Sequence, residues 1–398
     1  MWLVLLLSPI SYLLSELKVT PVANVSLLGG QYFLEGESDS FAGNTDIFFA
    51  PVINFSEKTA LLPIYQGVYS GTKDVKELVG GGTLTREILD NLLTLKFIRK
   101  FSDTLKGKAK LGYKLEYLKE TEDEKLGDGL FDYGRIIAGL EAEKMFNRTN
   151  VRIGYDFYMM NYPNYASLVT TYQTSIDTAT YTEISQNAGE DVLDYSAHEL
   201  FVETLYKFSE TTLGKLSYNI ALKNFTDQTI VEESGSFTSD KRNDLVHLLT
   251  LGISQKLRRV SVALYDTIQI YTSNQNSYDA NRTQFNANYY NFVQNSISPA
   301  LTFALGKSGT TKLNLWWEIV TRVYQDRPAQ DESGNYQTAK ITQTTNTTGV
   351  SLAIPVYKML SLKTAASYRG SVSNNKYEAN YRYNYNTSNY FVGINWEY

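Results

Sequence analysis

The stretch FDYGRIIAGLEAEKMF, from Phe131 to Phe146, decides the fold. In it Ile136, Ala138, Leu140 and Ala142 alternate with Arg135, Gly139, Glu141 and Glu143. One face is apolar and the other polar, with a period of two residues, which marks a β-strand lying between two different environments.

The same split recurs along the chain, and no helical period competes with it. Ala109, Leu111, Tyr113, Leu115 and Tyr117 oppose Lys108, Lys110, Lys114 and Glu116. Leu313, Leu315, Trp317 and Ile319 oppose Lys312, Asn314, Glu318 and Arg322, and Ile297 to Leu305 repeats the pattern with Ser, Ala and Thr on its second face. Alternation alone does not choose the solvent, but the spacing of the connections does. Short turns at 56–59, 102–105, 147–149, 209–214, 258–259, 307–311 and 358–360 alternate with longer polar loops at 35–44, 70–90, 121–130, 163–190, 234–241, 274–288, 328–340 and 374–387. Long loops gathered at one end and short turns at the other are the layout of a barrel that spans a membrane. Starting from a first strand at Val25 to Leu34, the expectation is all-β: one transmembrane antiparallel up-and-down barrel of about 16 strands, closed because hydrocarbon offers unpaired backbone groups no water.

Composition removes the competing classes. Beyond the N-terminus no run of the 398 residues reaches the roughly 18 to 20 apolar residues of a membrane-spanning helix. With zero Cys there is no disulfide scaffold, no Cys-based zinc site and no thiol nucleophile. A net charge of −5 argues against a nucleic-acid partner, whose binding face would be basic. Met1 to Leu14 is apolar over the length of a secretory h-region, so 1–23 reads as an export signal, or as the end of a missing upstream segment, because no Lys or Arg precedes the run. The barrel is then assigned to 24–398.

The terminal residues Tyr390, Val392, Ile394, Trp396 and Tyr398 place apolar or aromatic side chains at every second position up to the chain end. With the alternation and the loop asymmetry, this resembles a Gram-negative outer-membrane β-barrel of porin-like architecture, over roughly residues 25–398. Phe is the usual final residue of that class, and Tyr398 stands here. The resemblance implies a place in the bacterial outer membrane, with lipids and lipopolysaccharide outside. It also implies that the barrel assembly machinery reads the last strand. It names no particular family and transfers no activity.

Inward parity collects Lys110, Lys114, Arg135, Glu141, Glu143, Arg152, Glu203, Glu318 and Arg322 as lumen charges, with bases in excess over acids across the whole inward set. Such charges bias what enters a pore, or simply pair and brace the wall. Aromatic residues near strand ends (Tyr32, Phe33, Phe55, Phe101, Phe146, Phe208, Tyr265 and Tyr271) are expected in the interfacial girdles. His198 and His247 share parity with lipid-facing Leu and Val, and neither Ser196 nor Asp244 makes a known catalytic spacing with them. No catalytic residue, metal site or cofactor is expected, so the chain reads as a non-enzyme. The expectation is a water-filled channel for passive or weakly selective diffusion of small polar solutes, with a slight anion preference and with loop 163–190 the candidate to fold into the pore. The rivals are the barrel part of a secretion or exopolysaccharide export pore, and an adhesive or structural surface protein with a closed lumen.

Overall fold

The computed structural model describes residues 18–35, 37–71, 76–77, 82–83, 87–119, 124–165, 191–279, 282–378 and 382–398. Its strands are β1 (Ala23–Leu34), β2 (Glu37–Phe49), β3 (Thr59–Ser70), β4 (Glu87–Lys100), β5 (Leu105–Lys119), β6 (Tyr133–Phe146), β7 (Thr149–Asn161) and β8 (Tyr195–Lys207). They continue with β9 (Thr212–Val231), β10 (Phe237–Leu257), β11 (Val260–Ser273), β12 (Phe292–Leu305), β13 (Thr311–Gln330), β14 (Tyr336–Tyr357), β15 (Leu360–Ser373) and β16 (Tyr385–Glu397). The main sheet has 18 hydrogen-bonded segments; Lys18–Thr20 and Val52–Ser56 continue β1 and β2 past Pro21 and Pro51, which leaves 16 barrel strands among the described residues. Each strand pairs antiparallel with the next, and β16 pairs back onto β1 with Asn24 opposite Glu397 and Leu34 opposite Thr387. The barrel is closed, so among the described residues each of the 16 strands has a hydrogen-bonded neighbour on both sides. Residues 1–17, which hold most of the apolar N-terminus, lie outside the described residues.

Burial is inverted relative to a water-soluble protein. On the outer face Leu111, Ile136, Leu140, Ile153 and Leu200 are exposed, while the buried set includes Glu116, Glu143, Asp156 and Asp244. Lipid solvates the first group and the lumen wall holds the second, as the alternation predicts. At the turn end Phe101 and Phe208 fold back over the outer faces of Gly107 and Gly214, where an added Cβ would come within 2.7 and 2.6 Å of the rings. These two glycines make room for girdle aromatics.

The register corrects part of the sequence reading. Tyr265 and Tyr271 share the inward face with Gln269, and Tyr32, opposite Asn389, is also inward, so these three do not belong to the girdle. Nearness to a strand end does not set the face. Loops 35–44, 234–241 and 328–340 are largely strand: β2 starts at Glu37, Val231 pairs with Phe237, and Gln330 pairs with Tyr336. Above the membrane neither face of a strand meets lipid, and the inner face packs under the loops, where Thr229, Ala329 and Ile341 are buried, so the ladder continues after the lipid-against-water contrast has vanished.

Candidate functional site

The inward residues of β4 to β9 form a belt of ion pairs. Lys108 Nζ lies 2.5 Å from Glu141 and 2.6 Å from Glu143, and Arg152 joins Glu141 at 2.9 Å to Glu203 at 2.8 Å. Lys114 sits 2.7 Å from Asp90 and 2.8 Å from Glu116. Lys110 on β5 reaches Asp156 on β7 at 2.6 Å, across β6, because Gly139 stands between them. A Cβ at Gly139 would meet both the Asp156 carboxylate and the Lys110 chain. Most pairs are between neighbouring strands, so the belt braces the wall and cancels its own charge. Outside it, Glu318 accepts hydrogen bonds from Ser296 and Ser298 at 3.2 and 3.5 Å, and Arg135 lies 5.4 Å from the Tyr158 ring centroid with its Nε unpartnered among the described residues.

Toward the loop end the lumen holds a different arrangement, a cavity of 310 Å³ lined by Lys223, Arg242, Asp244, Arg322 and a set of Tyr and Phe rings. Arg242 donates to both Asp244 oxygens, from Nε at 2.8 Å and from Nη2 at 2.9 Å, and its guanidinium lies 4.5 Å from the rings of both Phe225 and Tyr290. Tyr271 also donates to Asp244. Arg322 lies 4.4 Å from the Phe292 ring and donates to Gln294 at 3.0 Å. Lys223 lies 5.2 and 5.8 Å from the rings of Tyr195 and Tyr271. A ring face holds a cation at roughly 0.5 to 2 kcal/mol without neutralising it. Three cations therefore line this cavity with one carboxylate, and that carboxylate is already engaged by Arg242 and Tyr271.

The cavity is roofed from the loops. Tyr162, Val192 and Leu193, at the two roots of the β7–β8 connection, pack against inward Tyr133, Tyr195 and Phe225. Asp194 clamps the roots together, accepting from the Tyr162 N–H at 2.8 Å and from Asn161 at 2.6 Å. Burial, with Asp191 and Asp227 nearby, pushes the Asp194 carboxyl above the usual carboxylate range. Residues 166–190, the body of the loop expected to fold into the pore, lie outside the described residues. On the other side of the lumen, inward Asp46 and Gln66 are exposed, so that wall faces water.

Both histidines face outward. His198 Nδ1 is 2.7 Å from Tyr155 Oη and His247 Nδ1 is 2.7 Å from Tyr218 Oη. Asp244, three residues before His247, points to the opposite face into its pair with Arg242. Tyr390, Val392, Ile394, Trp396 and Tyr398 are all exposed on the outside. Arg322 is among the lumen charges read from the sequence and Lys223 shares that inward parity, but Arg242 escapes because it adjoins residues read as loop. The alternation of Arg242, Asn243 and Asp244 is the signal that extends β10 past the rim.

No known family model matches the chain, and no curated protein matches it. Among solved structures it is similar to an anion-selective porin from Comamonas acidovorans, at 10% identity over 96% of this chain and 100% of that one, with a TM-score of 0.49. It is similar to OmpT, an outer membrane protein of Vibrio cholerae, at 12% identity over 96% and 98% of the two chains, TM-score 0.46. OpdK, an outer membrane protein of Pseudomonas aeruginosa, gives 9% identity over 95% and 99%, TM-score 0.47. The fold stands on the strand pairings of this chain: it is a closed antiparallel barrel of outer-membrane type.

Proposed function

We propose that the chain is a non-enzymatic, water-filled channel that passes small polar solutes by diffusion and favours anions at the roofed cavity. The observation that carries this reading is the charge count there. Lys223, Arg242 and Arg322 face one engaged carboxylate, whereas the belt below is self-compensating. An anion arriving at the cavity meets guanidinium and ammonium groups held by ring faces, and a cation meets like charge. The preference is set by position, and the −5 net charge of the chain does not enter it.

In a planar bilayer the purified protein is expected to give step-like conductance, with a reversal potential under a KCl gradient that reports chloride above potassium. Replacing both Lys223 and Arg322 by Glu should invert the sign of that potential. The preference should shrink in concentrated salt, because screening acts over about 10 Å at 0.1 M and about 3 Å at 1 M. Correctly folded protein that gives no steps, with or without residues 166–183, would replace the channel by a closed-lumen surface protein.

A further inference from the structure

On β11 the outward residues are Val260, Val262, Leu264, Asp266, Ile268, Ile270 and Thr272. Asp266 thus sits in the middle of an apolar stripe, with three apolar residues on its turn side and two before Thr272 on its loop side. Its Oδ1 accepts a hydrogen bond from Asn295 on β12 at 2.6 Å, and Asn295 faces outward too, between Val293 and Ile297. Glu87, another carboxylate on the outer face, begins β4 at the loop-side rim, where water is near. A carboxylate held in hydrocarbon is expensive, and such residues normally face protein or water.

A second feature of the same wall is independent of Asp266. Elsewhere the outer face carries exposed aromatics, among them Tyr113, Tyr155, Tyr218, Tyr368 and Tyr390. On the loop-side half of β11 to β13, and on β14 beyond Tyr336 at its tip, the described outward positions hold none, as is also so on β8 and β9. Ile268, Ile270, Val293, Thr321, Val323 and Thr344 stand there instead, with Thr321 and Thr344 cross-strand partners whose hydroxyls are 3.4 Å apart. An aromatic belt anchors a protein among lipid headgroups. On β11 to β14 its interruption coincides with an outward carboxylate on the same wall.

We propose that this wall is the interface between two copies of the chain, related by a twofold axis along the membrane normal and centred on Asp266 and Asn295. The pair is self-complementary. Asn295 has a second N–H and Asp266 a second oxygen, so across a twofold each Asn295 can donate to the other copy's Asp266, and each copy satisfies what its partner leaves open. A closed pair of this kind uses the same patch on both copies. β-Branched side chains on either side of the pair give a flat, stiff surface suited to sheet against sheet.

The chain has zero Cys, so single-cysteine reporters work without background. With the protein in its native membrane, oxidation of Ile297→Cys is expected to trap a disulfide-linked pair, and Leu95→Cys on the far side of the barrel is expected not to. Light scattering of the detergent-solubilised protein should give the mass of two chains. Asp266→Leu combined with Asn295→Leu should shift it to the mass of one, while heat-modifiable migration shows that the barrel is still folded. A single-chain mass for the unsubstituted protein together with no trapped pair at Ile297→Cys overturns the proposal. A mass of three chains without self-linkage at that position overturns it too, since that describes a ring of unlike surfaces.

Discussion

Leu140→Arg is expected to destabilise the barrel by about 2 to 4 kcal/mol, the cost of placing a guanidinium on the lipid face near the bilayer midplane. Leu140 is 66% exposed on the outer face of β6, flanked there by Ile136, Ala138 and Ala142. The matched control is Gln66→Arg, on an inward and water-exposed position, where the change should stay within about 0.5 kcal/mol. Glu141 would look like the natural control by parity alone, yet it is a poor one. It accepts from Lys108 at 2.5 Å and from Arg152 at 2.9 Å, so Glu141→Arg sets a third cation between two others. The expected loss there is about 3 to 5 kcal/mol, the range for breaking a buried pair from one side. Urea titration of protein folded into lipid vesicles, followed by tryptophan fluorescence, measures all three. Equal losses for Leu140→Arg and Gln66→Arg would overturn the assignment of faces.

Trp396→Asp should have a larger effect still, all or none in its readout. Trp396 pairs with Val25 on one side and Leu360 on the other, faces outward, and stacks with Tyr398 at a centroid distance of 6.0 Å. The substitution removes a girdle ring and sets a carboxylate in the strand that closes the cylinder. We expect the variant to accumulate outside the membrane and to run at the same gel position with and without heating. Recovery of a normal heat-shifted form from outer membranes would show that the terminal pattern is dispensable.

The barrel was legible because a bilayer leaves a two-valued record in sequence: Ile136, Ala138, Leu140 and Ala142 against Arg135, Glu141 and Glu143 are what lipid and water each require of one strand. Where that contrast ends, so does legibility. The ladders through Thr229 and Lys241, or Pro328 and Lys340, have no lipid on either face, and their composition matches that of a loop. The lumen charges were visible one by one, but not their partners. Lys110 meets Asp156 only because Gly139 is vacant between them, and such a reach over a strand depends on register. The roofed cavity is still further from the sequence, since Arg242, Tyr271 and Tyr290 come from separate strands and a loop.

The seam between β1 and β16 also sets a timetable. Asn24 and Glu397, which touch there, are 373 residues apart in the chain. Joining those ends in an otherwise unstructured chain would cost on the order of 5 kcal/mol in lost loop entropy, whereas the tight turns between successive strands cost little. Hairpins are therefore expected to form before the ends meet, and β1 and β16 each hold an open edge until the seam closes. Until that step the two edges must be kept from pairing with anything else, so the seam is where an unfinished barrel is most exposed to misassembly.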